Sequence, residues 1–141
     1  MANENVIRTG GAPPPVGAYP HARRAGNLLF LSGIGPRPAD GGAIPGTGKD
    51  ADGNTVTTDI EAQCHAVLAN VKMVLESAGA KLDDLIDVTV FLTDIDRDFA
   101  AYNRVYSEYF SAEDGPCRTT VEVTRLPTPI AIELKCIAKI G

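Results

Sequence analysis

Thr58-Asp59-Ile60-Glu61-Ala62-Gln63-Cys64-His65-Ala66-Val67-Leu68-Ala69-Asn70-Val71-Lys72-Met73-Val74-Leu75-Glu76-Ser77-Ala78-Gly79 carries the clearest periodicity in the chain. Ile60, Cys64, Val67, Leu68, Val71, Val74, Leu75 and Ala78 recur at helical spacing and fall on one face. Thr58 and Glu61 have the S/T-x-x-E spacing of a capping box, in which each side chain satisfies the other residue's free backbone N–H. Gly79 stands where a left-handed residue ends a helix. The stretch predicts a helix over 59–78, about 30 Å long at 1.5 Å per residue. Its stripe reads as core, and Cys64 and His65 on it have no ligand partner at metal spacing.

Working outward, Ile86 to Thr93 is rich in β-branched residues and reads as a strand closed by Asp94. A second helix follows, with Asp98 near its start and Phe99, Tyr102, Val105, Tyr106, Tyr109 and Phe110 as its apolar face. That aromatic row reads as packing rather than as a base-stacking platform. Arg118–Thr124 and Ala131–Ile140 read as strands, with Leu126-Pro127-Thr128-Pro129 as the turn between them. Upstream, Asn27–Gly33 is a short apolar strand, and Pro36–Asn54 is a long loop of Gly, Pro, Asp and Ala. The first 20 residues, with Pro13-Pro14-Pro15 and several glycines, read as an extended arm, with one further strand near Val6–Thr9. Residues 1–11 are expected to be its flexible part, and 1–141 to be a single domain.

Two helices on one face of a mostly antiparallel sheet make an α+β two-layer sandwich. Strands 28–31 and 88–92 are apolar at successive positions, which predicts that both of their faces are buried. Two helices cover only one face, so the other is expected to meet a second copy of the sheet in a homo-oligomer.

The composition excludes several classes of function. At 141 residues and 44% apolar, the chain is that of an ordinary globular protein. Its net charge of −5 opposes a nucleic-acid groove. The apolar runs are too short to cross a bilayer, and Met1–Gly10 lacks the basic start and apolar core of a secretory signal, so a cytoplasmic location is expected. Cys64, Cys117 and Cys136 are odd in number, which argues against a disulfide framework. There is no phosphate-cradling loop, dinucleotide fingerprint or H-E-x-x-H, and His21 and His65 are the only histidines, so neither metal nor cofactor is expected.

Two ionisable residues stand out as catalytic candidates. Arg118 opens a strand directly after a Gly-Pro-Cys turn, at a sheet rim, where a guanidinium suits either a surface ion pair or bidentate binding of a substrate carboxylate. Glu133 interrupts the apolar run Ile130-Ala131-Ile132-Glu133-Leu134, so it either faces solvent on an alternating strand or is partly buried with a raised pKa. The second state is the one used in general acid–base chemistry. Ser32 and Gly33, at the end of the first apolar strand, can present a hydroxyl and backbone N–H groups to an anion. Asn103 sits among the aromatics of the second helix, and Tyr19 lies in the arm.

Taken together, these residues resemble the reactive-intermediate deaminases, the RidA or YjgF family. The resemblance rests on Pro116-Cys117-Arg118-Thr119-Thr120-Val121-Glu122-Val123-Thr124-Arg125-Leu126-Pro127 and on Ile132-Glu133-Leu134-Lys135-Cys136-Ile137-Ala138. Gly17-Ala18-Tyr19, Leu31-Ser32-Gly33, Asn70-Val71, Ala78-Gly79-Ala80 and Asp98-Phe99-Ala100-Ala101-Tyr102-Asn103 follow the family in order, so the likeness covers roughly residues 12–140. It implies a chorismate-mutase-like α+β fold and a homotrimer with sites between subunits. It also implies cofactor-free hydrolysis of an enamine or imine to ammonia and a carbonyl. Arg118 then holds the substrate carboxylate, Glu133 handles water and protons, and Tyr19, Ser32, Gly33, Asn103 and Thr120 line the pocket.

Tyr19–Gly26, Pro36–Asp40 and Leu126–Pro129 look more like the 2-aminomuconate deaminases, which implies a second substrate carboxylate met by Arg24 or Arg37. Thr124-Arg125 is closer to general members, which act on 2-aminoacrylate or 2-iminobutanoate, and Thr120 stands where many of those have a cysteine. A non-enzymatic ligand-binding or stress-related trimer is the remaining alternative.

Overall fold

The computed structural model describes residues 3–141. The periodic stretch folds as α1, Ile60–Ser77, but its cap differs from the predicted Thr58–Glu61 box. Asp59 is the cap, accepting the Ala62 N–H at 3.1 Å, while the Thr58 hydroxyl donates to the Gly46 carbonyl at 3.3 Å. A carboxylate both satisfies the orphan N–H and complements the positive end of the helix dipole. Gly79 follows at φ 78°, a left-handed conformation that costs glycine little.

In chain order the strands are β1 (Val6–Ile7), β2 (Ala22–Ala25), β3 (Leu28–Leu31), β4 (Thr47–Lys49), β5 (Thr55–Thr57), β6 (Leu85–Leu92), β7 (Cys117–Glu122) and β8 (Ile132–Lys139). The second helix, α2, spans Ile95–Tyr106, and a single 3-10 turn covers Leu82–Asp84. Six strands form one sheet in the order β1-β2-β3-β8-β6-β7, antiparallel at every pair except β6–β7. With both helices packed on it, the result is the α+β two-layer fold.

Four sequence readings change. Ala22–Ala25, between the arm and the first apolar strand and assigned no element from the sequence, is β2; its Arg23-Arg24 pair lacks the β-branched signal, yet Arg23 points to solvent and Arg24 toward the end of α1. The arm itself is tied in, since Val6–Ile7 pair with Ala22–Arg23 and the Thr9 N–H donates to His21 Nδ1 at 3.3 Å; Met1 and Ala2 lie outside the described residues. The long loop at 36–54 contains the strand Thr47–Lys49, which pairs with Thr55–Thr57 in a two-stranded hairpin. Finally, Leu126–Pro129 is not a hairpin turn. Because β7 and β8 lie on opposite sides of β6, this segment passes across the end of β6, where the Val123 N–H donates to the Leu92 carbonyl (2.8 Å) and the Thr93 N–H to that of Ala131 (3.2 Å).

The helices cover one sheet face. Leu29, Leu31, Val88, Val90 and Leu92 are fully buried there with Val67, Val71 and Val74 of α1, each such side chain contributing about 1.5–3 kcal/mol of burial. Gln63, also fully buried, ties α1 to two other elements: its Oε1 accepts the Ala131 N–H at 2.9 Å and its Nε2 donates to Thr57 Oγ1 at 3.3 Å. The expected burial of both faces is not met within one chain. Phe30, Ile86 and Val121 are exposed, and Thr89 and Phe91 are only half-buried. Strand alternation gives Phe30, Thr89, Phe91 and Val121 to the face that no helix covers, while Ile86 lies in the bulge between Leu85 and Asp87. No helix among the described residues is long and apolar enough to cross a membrane.

Candidate functional site

Residues paired across strands share a face, so the register places every candidate. Val88 and Val90, on the helix side, pair with Arg118 and Thr120. Phe91, on the open side, pairs with Glu133. Arg118 and Glu133 therefore project from opposite faces of the same sheet. One copy of the chain cannot bring them to the same small molecule.

On the helix side, Arg118 emerges from β7, the last strand of the sheet, toward α2. Its guanidinium carbon lies 4.8 Å from the centre of the Tyr106 ring and 5.2 Å from that of Tyr102. One guanidinium nitrogen donates to Asn103 Oδ1 at 2.9 Å. The described residues hold four ion pairs, and Arg118 is in none of them, so the surface ion-pair reading does not hold. Stacking on two rings plus one amide contact fixes the plane of the fork without neutralising it. Thr120, two residues along, shares a 2.7 Å hydrogen bond with the Tyr102 hydroxyl. Helical spacing explains why α2 can do this: Tyr102 and Tyr106 are one turn apart, in a row of rings from Phe99 to Phe110 with centroids 5.7, 6.0 and 4.7 Å apart. The sequence reading took that row only as packing. The available signal was the Tyr-Asn-x-x-Tyr spacing of residues 102–106, facing an arginine strand.

On the open side, Gly33 lies against Glu133, and a side-chain carbon added at Gly33 would sit 2.9 Å from Glu133 Oε2. Glycine here lets the backbone approach the carboxyl. Burial pushes the Glu133 carboxyl above the ordinary glutamate value, and the charge of Arg37 pulls part of the way back. The folded chain thus holds this proton more tightly than the unfolded one. That stabilisation is complete below the ordinary glutamate value and is lost as pH rises through the raised folded value. Urea unfolding at fixed protein concentration is expected to show this loss, and Glu133→Gln, which cannot titrate, to flatten the profile. An unchanged pH slope in that variant would mean that the carboxyl is effectively in water.

Tyr19, His21, Ser32, Gly33 and Arg37 line one small cleft on this half. Ser32 is less available than the sequence suggested, because its hydroxyl donates to the Pro20 carbonyl (2.7 Å) and its N–H to that of His21 (3.0 Å). As a donor it serves the scaffold, leaving only its oxygen's acceptor capacity. The Tyr19 hydroxyl accepts the Val16 N–H at 3.1 Å. Of the two arginines considered for a second carboxylate, Arg24 is committed elsewhere, donating to the Ala78 carbonyl at 3.1 Å at the end of α1. Arg37 donates to the Pro14 carbonyl at 2.9 Å and its charge reaches Glu133.

Two roomier depressions, each about 450 Å³, lie elsewhere: one is walled by Leu82, Leu85 and Phe110, the other by Thr57, Arg97 and Arg125. Among the described residues no group of three His, Cys, Asp or Glu side chains is placed to hold a metal ion. All three cysteines are free, and burial pushes the Cys64 and Cys136 thiols up to about 12, far from a nucleophilic thiolate.

The chain is similar over nearly its whole length to proteins of known name. The family model described as Endoribonuclease L-PSP matches residues 9–140. A RutC family protein of Pyrococcus horikoshii is 46% identical over 135 residues, covering 96% of this chain and 97% of that one. The 2-iminobutanoate/2-iminopropanoate deaminase of Escherichia coli is 36% identical over 135 residues, covering 94% and 95%. The crystal structure of E. coli TdcF with bound serine superposes with a TM-score of 0.82 at 33% identity, covering 98% of this chain and all of that one. Sequence and fold thus agree, and the chain belongs to the Endoribonuclease L-PSP family, the RidA/YjgF/RutC group.

Proposed function

We propose that this protein is a cofactor-free deaminase that hydrolyses a carboxylate-bearing enamine or imine to ammonia and a carbonyl compound. The observation that carries the reading is Arg118: an oriented guanidinium without a carboxylate partner among the described residues, stacked on Tyr102 and Tyr106. Such a group is preorganised for an anionic ligand. Two relatives support that ligand's class, one being named for 2-imino acids and the other holding serine, an acid with a neighbouring amine. The family description names an RNA-cleaving activity, but the net charge of −5 disfavours a polyanion.

In this reading Arg118 holds the carboxylate and presents the C=N carbon to Glu133 of a neighbouring copy. Glu133, kept protonated more readily by burial, gives its proton to the imine nitrogen. As a carboxylate it then takes a proton from the attacking water. The addition product loses ammonia when that proton passes to nitrogen, and its hydroxyl proton goes to the Glu133 carboxylate as the carbonyl forms, which restores the acid. No side chain becomes covalently attached, and proximity to one activated water suffices because an imine is already electrophilic.

The separation of Arg118 and Glu133 on opposite sheet faces, together with the half-open apolar face, supports a homotrimer with sites between subunits. The finer substrate reading is 2-aminomuconate, with Arg37 on the second carboxylate. The test is ammonia release from freshly generated 2-iminobutanoate and 2-aminomuconate. Release above the spontaneous rate from either is expected, turnover of 2-iminobutanoate alone removes the finer reading, and turnover of neither removes the deaminase.

A further inference from the structure

The hydrogen bond between the Tyr102 hydroxyl and Thr120 Oγ1, 2.7 Å, lies beside Arg118, yet nothing in the carboxylate grip requires it. A phenol is the more acidic of the two hydroxyls and the better donor, and the Arg118 charge 5.2 Å over the Tyr102 ring strengthens that preference. Burial also keeps the phenol above its ordinary value, so it retains the proton to donate. When Tyr102 donates, the Thr120 oxygen is the acceptor and its own hydrogen is free to turn outward. Tyr102 is almost wholly buried, whereas Thr120 is half-exposed on the edge strand. The pair is thus an anchored inner hydroxyl that orients an accessible outer one.

Position says what that donor meets. Arg118 and Thr120 lie two residues apart on one face of β7, roughly 6.6 Å at 3.3 Å per residue. The guanidinium lies over the Tyr102 and Tyr106 rings and donates to Asn103, so the Thr120 hydroxyl, held at the Tyr102 hydroxyl, stands one strand step from it as a separate donor. We infer that Thr120 is a specificity-determining donor, positioned by Tyr102, for an oxygen acceptor on the substrate's carbon chain beyond the carboxylate that Arg118 holds. An acid ending in a methyl group leaves this donor without a partner, whereas one ending in a second carboxylate satisfies it. The inference rests on the reading that Arg118 grips a substrate carboxylate. It adds Thr120 to the dicarboxylate reading given above, in which Arg37 is the charge partner of the far group.

The test is calorimetric titration of the purified oligomer with 2-oxoglutarate and with 2-oxobutanoate, stable acids with and without the far carboxylate. Wild type is expected to prefer 2-oxoglutarate. Thr120→Val should weaken 2-oxoglutarate about 10- to 100-fold more than 2-oxobutanoate, as loss of a hydrogen bond to a charged group does. Thr120→Ser should restore the preference. Tyr102→Phe should move it in the same direction as Thr120→Val, and the double variant should be no worse than Thr120→Val alone, because the two act as one unit. An equal fall for both acids, no preference in wild type, or binding of neither acid overturns the inference. Should Tyr102→Phe misfold, Thr120→Val on the half-exposed edge decides alone. Ammonia release separates the two readings: a preference that depends on Thr120 without turnover of any imine removes the deaminase and keeps the donor, and turnover with no such preference does the reverse.

Discussion

Arg118→Ala is expected to lower kcat/KM for ammonia release by about 10²- to 10⁴-fold, the equivalent of losing two charge-assisted hydrogen bonds. The effect is large because neither of the other two arginines considered for substrate contact stands in for it. Arg24 caps α1 through the Ala78 carbonyl and Arg37 belongs to the half-site around Glu133. Arg118→Lys keeps the charge but loses both the fork and the stacking on Tyr102 and Tyr106, so it should recover little. The near-ultraviolet circular dichroism of the tyrosines checks that α2 remains packed in these variants. A well-folded Arg118→Ala protein with a rate within tenfold of wild type would remove the carboxylate grip.

Mixing is the second large effect. If Arg118 of one copy works with Glu133 of another, then Arg118→Ala and Glu133→Gln should each be nearly inactive alone. Unfolded together and refolded as a mixture, they should regain activity that neither parent has. The recovered sites are those that draw a wild-type Arg118 from one variant and a wild-type Glu133 from the other. Sites built within one chain could not recover at all. A mixture no more active than its parents, while gel filtration shows mixed assemblies, would place both groups in one copy and contradict the geometry of the sheet.

Much of the architecture was legible because period and composition agreed over long stretches. The stripe from Ile60 to Leu75 and the β-branched run before Asp94 each had only one good interpretation. The failures came where tertiary contacts override local preference. Ala22–Ala25 is a strand because it lies between β1 and β3 and because Arg24 reaches the end of α1, neither of which is written in its four residues. Thr58 lost the cap to its neighbour because Gly46, twelve residues upstream, takes its hydroxyl bond. At the candidate site, Arg118 and Glu133 stood out in the sequence as candidates, but the face each occupies needed the pairing register. Tyr102 and Tyr106 were hidden by their chemistry: a buried tyrosine in an aromatic row looks the same whether it fills space or carries a cation. Ser32 shows the converse, a promising hydroxyl whose hydrogen bond already lies within the fold.

The sheet stops at β7. The strand that carries Arg118 is held by backbone bonds along one side only, through its parallel pairing with β6. Amides on its outer side are those expected to open most readily in the isolated chain, since sheet edges open at lower free energy than central strands. The arginine does not depend on that backbone alone, because α2 clasps it through Asn103, Tyr102 and Tyr106, while Glu122 at the strand's end accepts the Ile95 N–H at the helix start, 2.9 Å away. The helix therefore acts as a splint for a fraying margin, and loosening it would disorder the end that carries Arg118 long before the core noticed.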